Sequence, residues 1–238
     1  MRSFNHLLWP AVCANCVESI SETDEGLCRR CWSELMASVG GDYCRYCGVD
    51  VSRYALYEDG CARCQGKAIY FDAIARGGVY EAALRKMIVA FKLAGRTELD
   101  SILGFLGNSA LEGSGFYERI DFFVPVPLHW TRRITRGYNH AHIIAKKLRH
   151  DWAKVNTDLV RTRRTKTQTA MASVTERAKN VAEAFAVRKG HKFTGRNICI
   201  VDDIKTTGAT LNECAKTLKH AGAAKVFALV LAVAGQKA

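Results

Sequence analysis

Four Cys-x-x-Cys pairs crowd the first 64 residues of this 238-residue chain: Cys13 and Cys16, Cys28 and Cys31, Cys44 and Cys47, Cys61 and Cys64. Successive pairs are separated by 11, 12 and 13 residues. A CxxC turn aims two thiolates at one point, and two such turns close a tetrahedral shell around Zn²⁺. Four pairs therefore predict two zinc ions, paired either sequentially or as an interleaved cross-brace. Thiolates fill every position of such shells, so the sites are structural rather than catalytic. A disulfide framework would use the same cysteines but needs an oxidising compartment. The opening MRSFNHLLWPAV has one arginine and an apolar patch broken by Pro10, too little for a secretory signal. A reducing, cytoplasmic setting is the expectation. A segment this short and acidic has few core aliphatics, so metal ligation supplies most of its folding free energy.

Beyond the cysteines the chain is long enough for one full core of about 150 residues plus this small module. The expected division is 1–68, a double zinc ribbon, and 69–238, an α/β domain. No membrane span is expected, because the longest apolar run, VFALVLAVAG, has about half the roughly 20 residues a spanning helix needs. Net charge is +12, but it is unevenly placed. Residues 129–166 hold eleven Lys and Arg against Asp151 and Asp158, or +9, whereas the first 64 residues hold six basic and nine acidic side chains, or −3. A polyphosphate or nucleic-acid surface belongs to the middle of the chain; the competing reading is a solvated basic face.

After Cys64 the texture changes. QGKAIYFDAIARGGVY alternates like a hairpin or short strands. The next segment spaces Leu84, Met87, Ile88 and Phe91 at helical intervals, with Gly95 as its C-cap and Lys92 and Arg96 at the end favoured by the helix dipole. A second helix spans about 98–111. Then strand, loop and helix repeat, the pattern of a parallel α/β sheet: DFFVPV, a helix over 139–153, TDLVRT, a basic loop, a helix opened by Ser173 and Glu176, NICIVDD, a helix closed by Gly222, and KVFALVLAVA. Cys199 and Cys214 read as buried small hydrophobes, and the seven histidines show no metal-ligand spacing.

The stretch VDDIKTTGATL concentrates the chemistry. In an open parallel sheet ligands bind outside the carboxyl ends of the strands, and Asp202 and Asp203 stand at one such end. Lys205, Thr206, Thr207, Gly208, Ala209 and Thr210 then run into a helix N-terminus, where free N–H groups and the dipole attract a phosphate. The carboxylates cannot share that phosphate, so they face another part of the ligand. Acceptors beside a phosphate pocket suit the vicinal hydroxyls of a ribose, or a Mg²⁺ ion screening further phosphates. Neither GxxxxGK nor GxGxxG occurs, which excludes a P-loop and a dinucleotide fingerprint.

The apolar strand, Asp-Asp and TTGAT resemble the signature of type I phosphoribosyltransferases, which bind 5-phosphoribosyl 1-pyrophosphate (PRPP) with Mg²⁺. Together with VPVPLHWTRRITRGYNHA, RTRRTKTQTAMASVTERAKN and the four CxxC pairs, the chain resembles the ComF family of competence-associated proteins over almost its whole length. The resemblance implies a pyrophosphate loop formed by Pro127, Leu128, His129, Arg132 and Arg136. It also implies a flexible loop bearing Arg161, Arg163, Thr165 and Gln168. His140 stands where that pattern usually has glutamine, and Lys205 occupies a variable position.

Two functions from different classes follow. One is a PRPP-binding protein that serves DNA uptake in natural transformation, with single-stranded DNA and other DNA-uptake proteins as partners. The other is an active phosphoribosyltransferase of nucleotide metabolism or salvage, with Asp202 and Asp203 stabilising the charge that develops at C1. The enzyme needs a hood to recognise its nitrogenous acceptor, for which residues 65–120 are the available segment.

Overall fold

The computed structural model describes residues 11–234, apart from 22, 23, 25, 56, 58, 59, 130–136 and 166–173. Five parallel strands make the main sheet of the described residues: β1 (Ala73–Val79), β2 (Phe122–Pro125), β3 (Lys154–Val155), β6 (Asn197–Lys205) and β7 (Lys225–Val233), in the order β1-β7-β6-β2-β3. β6 and β7 read as near-continuous apolar runs because helices cover both faces of the sheet. On one face, α2 (Ala82–Leu93), α3 (Asp100–Glu112) and α4 (His140–Lys147) bury Leu84, Met87, Phe91, Leu103 and Ile144 against Cys199 and Val201. On the other, α6 (Ala209–His220) buries Leu211, Cys214 and Leu218 against Ile198 and Ile200. A separate antiparallel pair, β4 (Leu159–Arg161) and β5 (Phe185–Val187), lies outside the main sheet, and α5 (Val174–Val181) packs on α6. Among the described residues, no helix is long and apolar enough to cross a membrane.

Several local expectations need correction. Within residues 65–80 the structure has a single strand, β1, rather than a hairpin; β1 is buried on both faces and pairs in parallel with β7. Its start is set by Asp72, whose carboxylate accepts the Val226 N–H at 2.7 Å and pairs with Lys219 and Lys225. The helix expected over 139–153 stops at Lys147, because Asn108 of α3 claims the chain there: its Nδ2 donates to the Lys147 carbonyl and its Oδ1 accepts the Arg149 N–H at 2.8 Å. TDLVRT contributes β4 to the antiparallel pair, not to the parallel sheet. The segment proposed as a hood is core: β1, α2 and α3 supply much of the largest apolar cluster.

The cysteines gather sequentially, Cys13, Cys16, Cys28 and Cys31 in one group and Cys44, Cys47, Cys61 and Cys64 in the other, each with all sulfurs within 4.8 Å. The sulfur separations resolved within them, 3.6 to 3.9 Å, match the edge of a tetrahedron with Zn–S bonds of about 2.3 Å. Both groups fit structural Zn²⁺. Each begins with the same turn, a bridge from Val12 to Ser19 and from Tyr43 to Asp50, and the residue after the second cysteine has positive φ in both. That residue is Gly48 in the second turn but Val17 in the first. The first group joins the main core, with Cys13, Leu27, Cys31 and Leu35 in one cluster with Leu84 and Met87, and α1 (Arg29–Ser38) packs on α2. The second is tied to β1 by the buried Arg76, which donates to the Gly48 carbonyl at 2.8 Å, pairs with Asp50 and stacks on Tyr43. Metal analysis of purified protein is expected to give two zinc ions per chain, and Cys44→Ser about one. Chelation should lower the thermal midpoint of the whole chain, not of an isolated module, since the first group is part of the common core.

Candidate functional site

β6 carries its polar residues where a buried strand meets the ligand edge of the sheet. Alternation sends neighbouring side chains to opposite faces, so Asp202 and Asp203 diverge. Asp203 is 6% exposed, and its Oδ2 lies 2.7 Å from the Nζ of Lys92, at the end of α2. Asp202 is half-buried and accepts the Asp203 N–H at 2.9 Å. Desolvation, with the Asp203 carboxylate beside it, pushes the Asp202 pKa up to about 7. One acid of the pair is thus neutralised by a lysine, and the other stands near its titration point.

The chain leaves β6 through Thr206 and Thr207 and enters α6 at Gly208, whose φ is +83°. The left-handed backbone favours glycine there, and an added Cβ would displace the end of the Lys205 side chain, whose Cε it would meet at 2.9 Å. Thr207 Oγ1 accepts the Ala209 N–H at 3.4 Å, while the first turn of α6 contains no acidic residue to compete for an anion. Residues 205–209 form one wall of a cavity of about 640 Å³. The facing wall comes from the second cysteine group and the chain just after it, including Cys47, Val49, Arg63 and Lys67, with Arg177 of α5 alongside. Lys205 is 6% exposed between the two walls; burial lowers the pKa of its ammonium against the pull of the Cys47 and Cys64 thiolates.

The Val126 N–H donates to the Val201 carbonyl at 2.9 Å, so the loop after β2 starts beside the acidic end of β6. Pro127 and Leu128 line a second cavity, of about 560 Å³, together with Arg161, and His129 is buried. Arg161 lies over the Phe185 ring and donates to the buried Thr165. Arg163 donates to the carbonyls of Asn180 and Ala182, at 3.1 and 2.6 Å, at the C-terminal end of α5. Thr210 lies in the first turn of α6. Arg132, Arg136 and Gln168 fall outside the described residues. His140 is buried edge-on against Phe91 and Tyr138, so an aromatic pocket accommodates the unusual residue.

Sequence reasoning missed Lys92, which local context explains as a cation at a helix C-terminus; only the packing of α2 against β6 brings it to Asp203. It also missed that Arg63, Lys67 and Arg177 line one cavity with residues 205–209, because no local pattern brings the second cysteine group near the start of α6. Lys92→Met strands the buried Asp203 carboxylate and is expected to cost about 1–3 kcal/mol in urea denaturation of the zinc-loaded protein. Adding Asp203→Asn should recover a large part of that loss, and equal stability of the single and double variants would contradict the pairing.

The double zinc ribbon domain model matches residues 4–67, and the phosphoribosyl transferase domain model matches residues 134–238. Competence protein F of Haemophilus influenzae is 30% identical over 221 residues, covering 90% of this chain and 93% of that protein. Competence protein ComFC of Bacillus subtilis is 27% identical over 216 residues, covering 84% and 81%. DNA utilization protein YhgH of Escherichia coli K12 is 29% identical over 226 residues, covering 91% and 94%. Paired cysteine shells ahead of a sheet that ends in two adjacent carboxylates and a phosphate-type loop, aligned with competence protein F over 90% of the chain, place this protein in the ComF family.

Proposed function

We propose that the protein binds PRPP, or a related ribose phosphate, with Mg²⁺, and that this binding serves DNA uptake and the handling of single-stranded DNA in the cytoplasm. The observation that carries the ligand is the continuity of Asp202 and Asp203 with the loop from Lys205 to Thr210 at the N-terminus of α6. The amides and hydroxyls of that loop hold the 5′-phosphate, and the carboxylates accept the ribose hydroxyls. Their oxygen donors suit Mg²⁺, which neutralises charge between carboxylate and pyrophosphate. Pro127, Leu128, His129, Arg132 and Arg136 flank the pyrophosphate, and Arg161, Arg163, Thr165 and Gln168 belong to the loop beside it. The role in DNA uptake is supported by relatives named as competence proteins and by the net +9 of residues 129–166.

The competing reading is catalytic transfer of the phosphoribosyl group to a nitrogenous acceptor. Against it stands the use of residues 73–112 as sheet and core helices rather than as a hood. Pyrophosphate release across a panel of bases and amines would favour transfer; binding without release favours the DNA-handling role.

Calorimetry is expected to show PRPP with Mg²⁺ binding to the wild type and no measurable binding to the Asp202→Asn, Asp203→Asn variant; unchanged affinity would defeat the assignment. Hydroxyl donors and cations both favour the ionised carboxylate, so a ligand lowers the raised pKa of Asp202 and drives off its proton. Affinity should therefore rise with pH up to about 7 and level off above it. For single-stranded DNA, neutralising about five phosphates implies a log–log salt slope of about −3.5. Replacing Arg163 and Arg164 by Ala should flatten it, and a salt-independent affinity would contradict backbone tracking.

A further inference from the structure

Among the described residues the buried lysines and arginines are Arg76 and Lys205, 5% and 6% exposed. Arg76 is satisfied by the Gly48 carbonyl, Asp50 and the Tyr43 ring. Lys205 meets a different set of charges. Burial itself opposes its ammonium; the strongest support comes from the thiolates of Cys47 and Cys64, then Cys44, against repulsion by Lys67. Cys47 and Lys205 also line the same cavity. Four thiolates on one Zn²⁺ leave the second shell formally at −2, so the zinc-loaded shell is still an anion for an ammonium beside it.

The same side chain lies on the loop that opens α6. Beyond the chain neighbours of Gly208, the three atoms nearest to where its Cβ would stand are Cε, Nζ and Cδ of Lys205, at 2.9, 3.6 and 3.8 Å. A glycine at φ +83° has the freest backbone of that loop, and the Lys205 methylenes are what rests against it. The backbone makes a second connection. Lys205 pairs with Val233 in the β6–β7 register, and its carbonyl accepts the Ala234 N–H at 2.8 Å. The Val233 side chain is what a Cβ on Gly48 would meet at 3.0 Å. Gly48 directly follows Cys47, and its carbonyl is fixed by Arg76 at 2.8 Å. The turn of the second cysteine group and the loop that opens α6 therefore touch one cross-strand pair, the first through Val233 and the second through Lys205.

We propose that Lys205 is a positioning residue that ties the second zinc shell to the phosphate-type loop: its ammonium compensates the anionic shell, and its methylenes hold the Gly208 turn in the shape that accepts a phosphate. This rests on the ribose-phosphate reading and gives that site a regulator, the metal content of the second shell. Such coupling is reciprocal, so whatever the metal does for the ligand, the ligand does for the metal.

The test uses the zinc-loaded full chain, with zinc affinity from competition with a chelator and ribose 5-phosphate affinity from calorimetry. In the wild type, saturating ribose 5-phosphate is expected to tighten one zinc ion about fivefold or more and leave the other unchanged. Lys205→Met keeps the length of the side chain and removes its charge. It should weaken that same zinc about tenfold, leave the other within about twofold and weaken ribose 5-phosphate about fivefold. The sugar phosphate should then no longer change either zinc affinity. Weaker ribose 5-phosphate with both zinc affinities unchanged would mean that Lys205 contacts the ligand directly, which overturns the tie to the shell. Weaker zinc with ribose 5-phosphate unchanged, or equal weakening of both zinc ions, would overturn the coupling as well. The wild-type measurement decides without any variant: ribose 5-phosphate that binds and leaves both zinc affinities unchanged sinks the coupling alone, whereas ribose 5-phosphate that does not bind sinks the ribose-phosphate reading and the coupling with it.

Discussion

Everything at the ligand edge depends on one uncomfortable arrangement: a strand buried between β2 and β7 ends in Asp202, Asp203 and Lys205. Charged groups on a central strand cost several kcal/mol unless they find partners or a ligand. Each of the three resolves the cost differently. Asp203 takes Lys92 from α2, Asp202 holds its proton to about pH 7, and Lys205 lies beside the thiolates of the second cysteine group. Such departures from an apolar core concentrate at functional sites, and here all three lie within four residues of the phosphate-type loop.

The cysteine groups divide the structural work. The first gives up its separateness: Cys13 and Cys31 are buried in the same cluster as α2 and α3, so its metal fixes one face of the main core. The second keeps its own small cluster and is fastened by Arg76 and by the close approach of Gly48, where a Cβ would come within 3.0 Å of Val233. Those contacts hold it at the end of β7, on the same cavity as the loop that opens α6. A zinc ribbon placed there lines a cavity as well as being a folding unit.

Periodicity made the core helices and the two long strands legible, because α2, α6, β6 and β7 bury continuous or evenly spaced apolar residues. The zinc shells were legible because the ligand spacing is local. What misled was tertiary. Residues 65–80 alternate like a hairpin, yet β1 is covered on both sides. The helix after Asn139 has apolar residues enough to continue, but Asn108 binds its last carbonyl. Lys92 has a sufficient local explanation that hides its long-range one.

The sequence by itself determined the ligand chemistry that adjacent residues can express: thiolates three apart, two carboxylates in a row, and a glycine opening a helix. It left open how the CxxC turns pair, which a sequential and an interleaved connection satisfy equally in composition. The tertiary structure decided that pairing, along with the Lys92 partner of Asp203 and the cationic wall of Arg63, Lys67 and Arg177. The physical reason is distance along the chain. Groups within a turn of one another are positioned by backbone geometry alone, whereas Lys92 and Asp203, or Arg63 and Gly208, meet only because the apolar faces between them must be buried together.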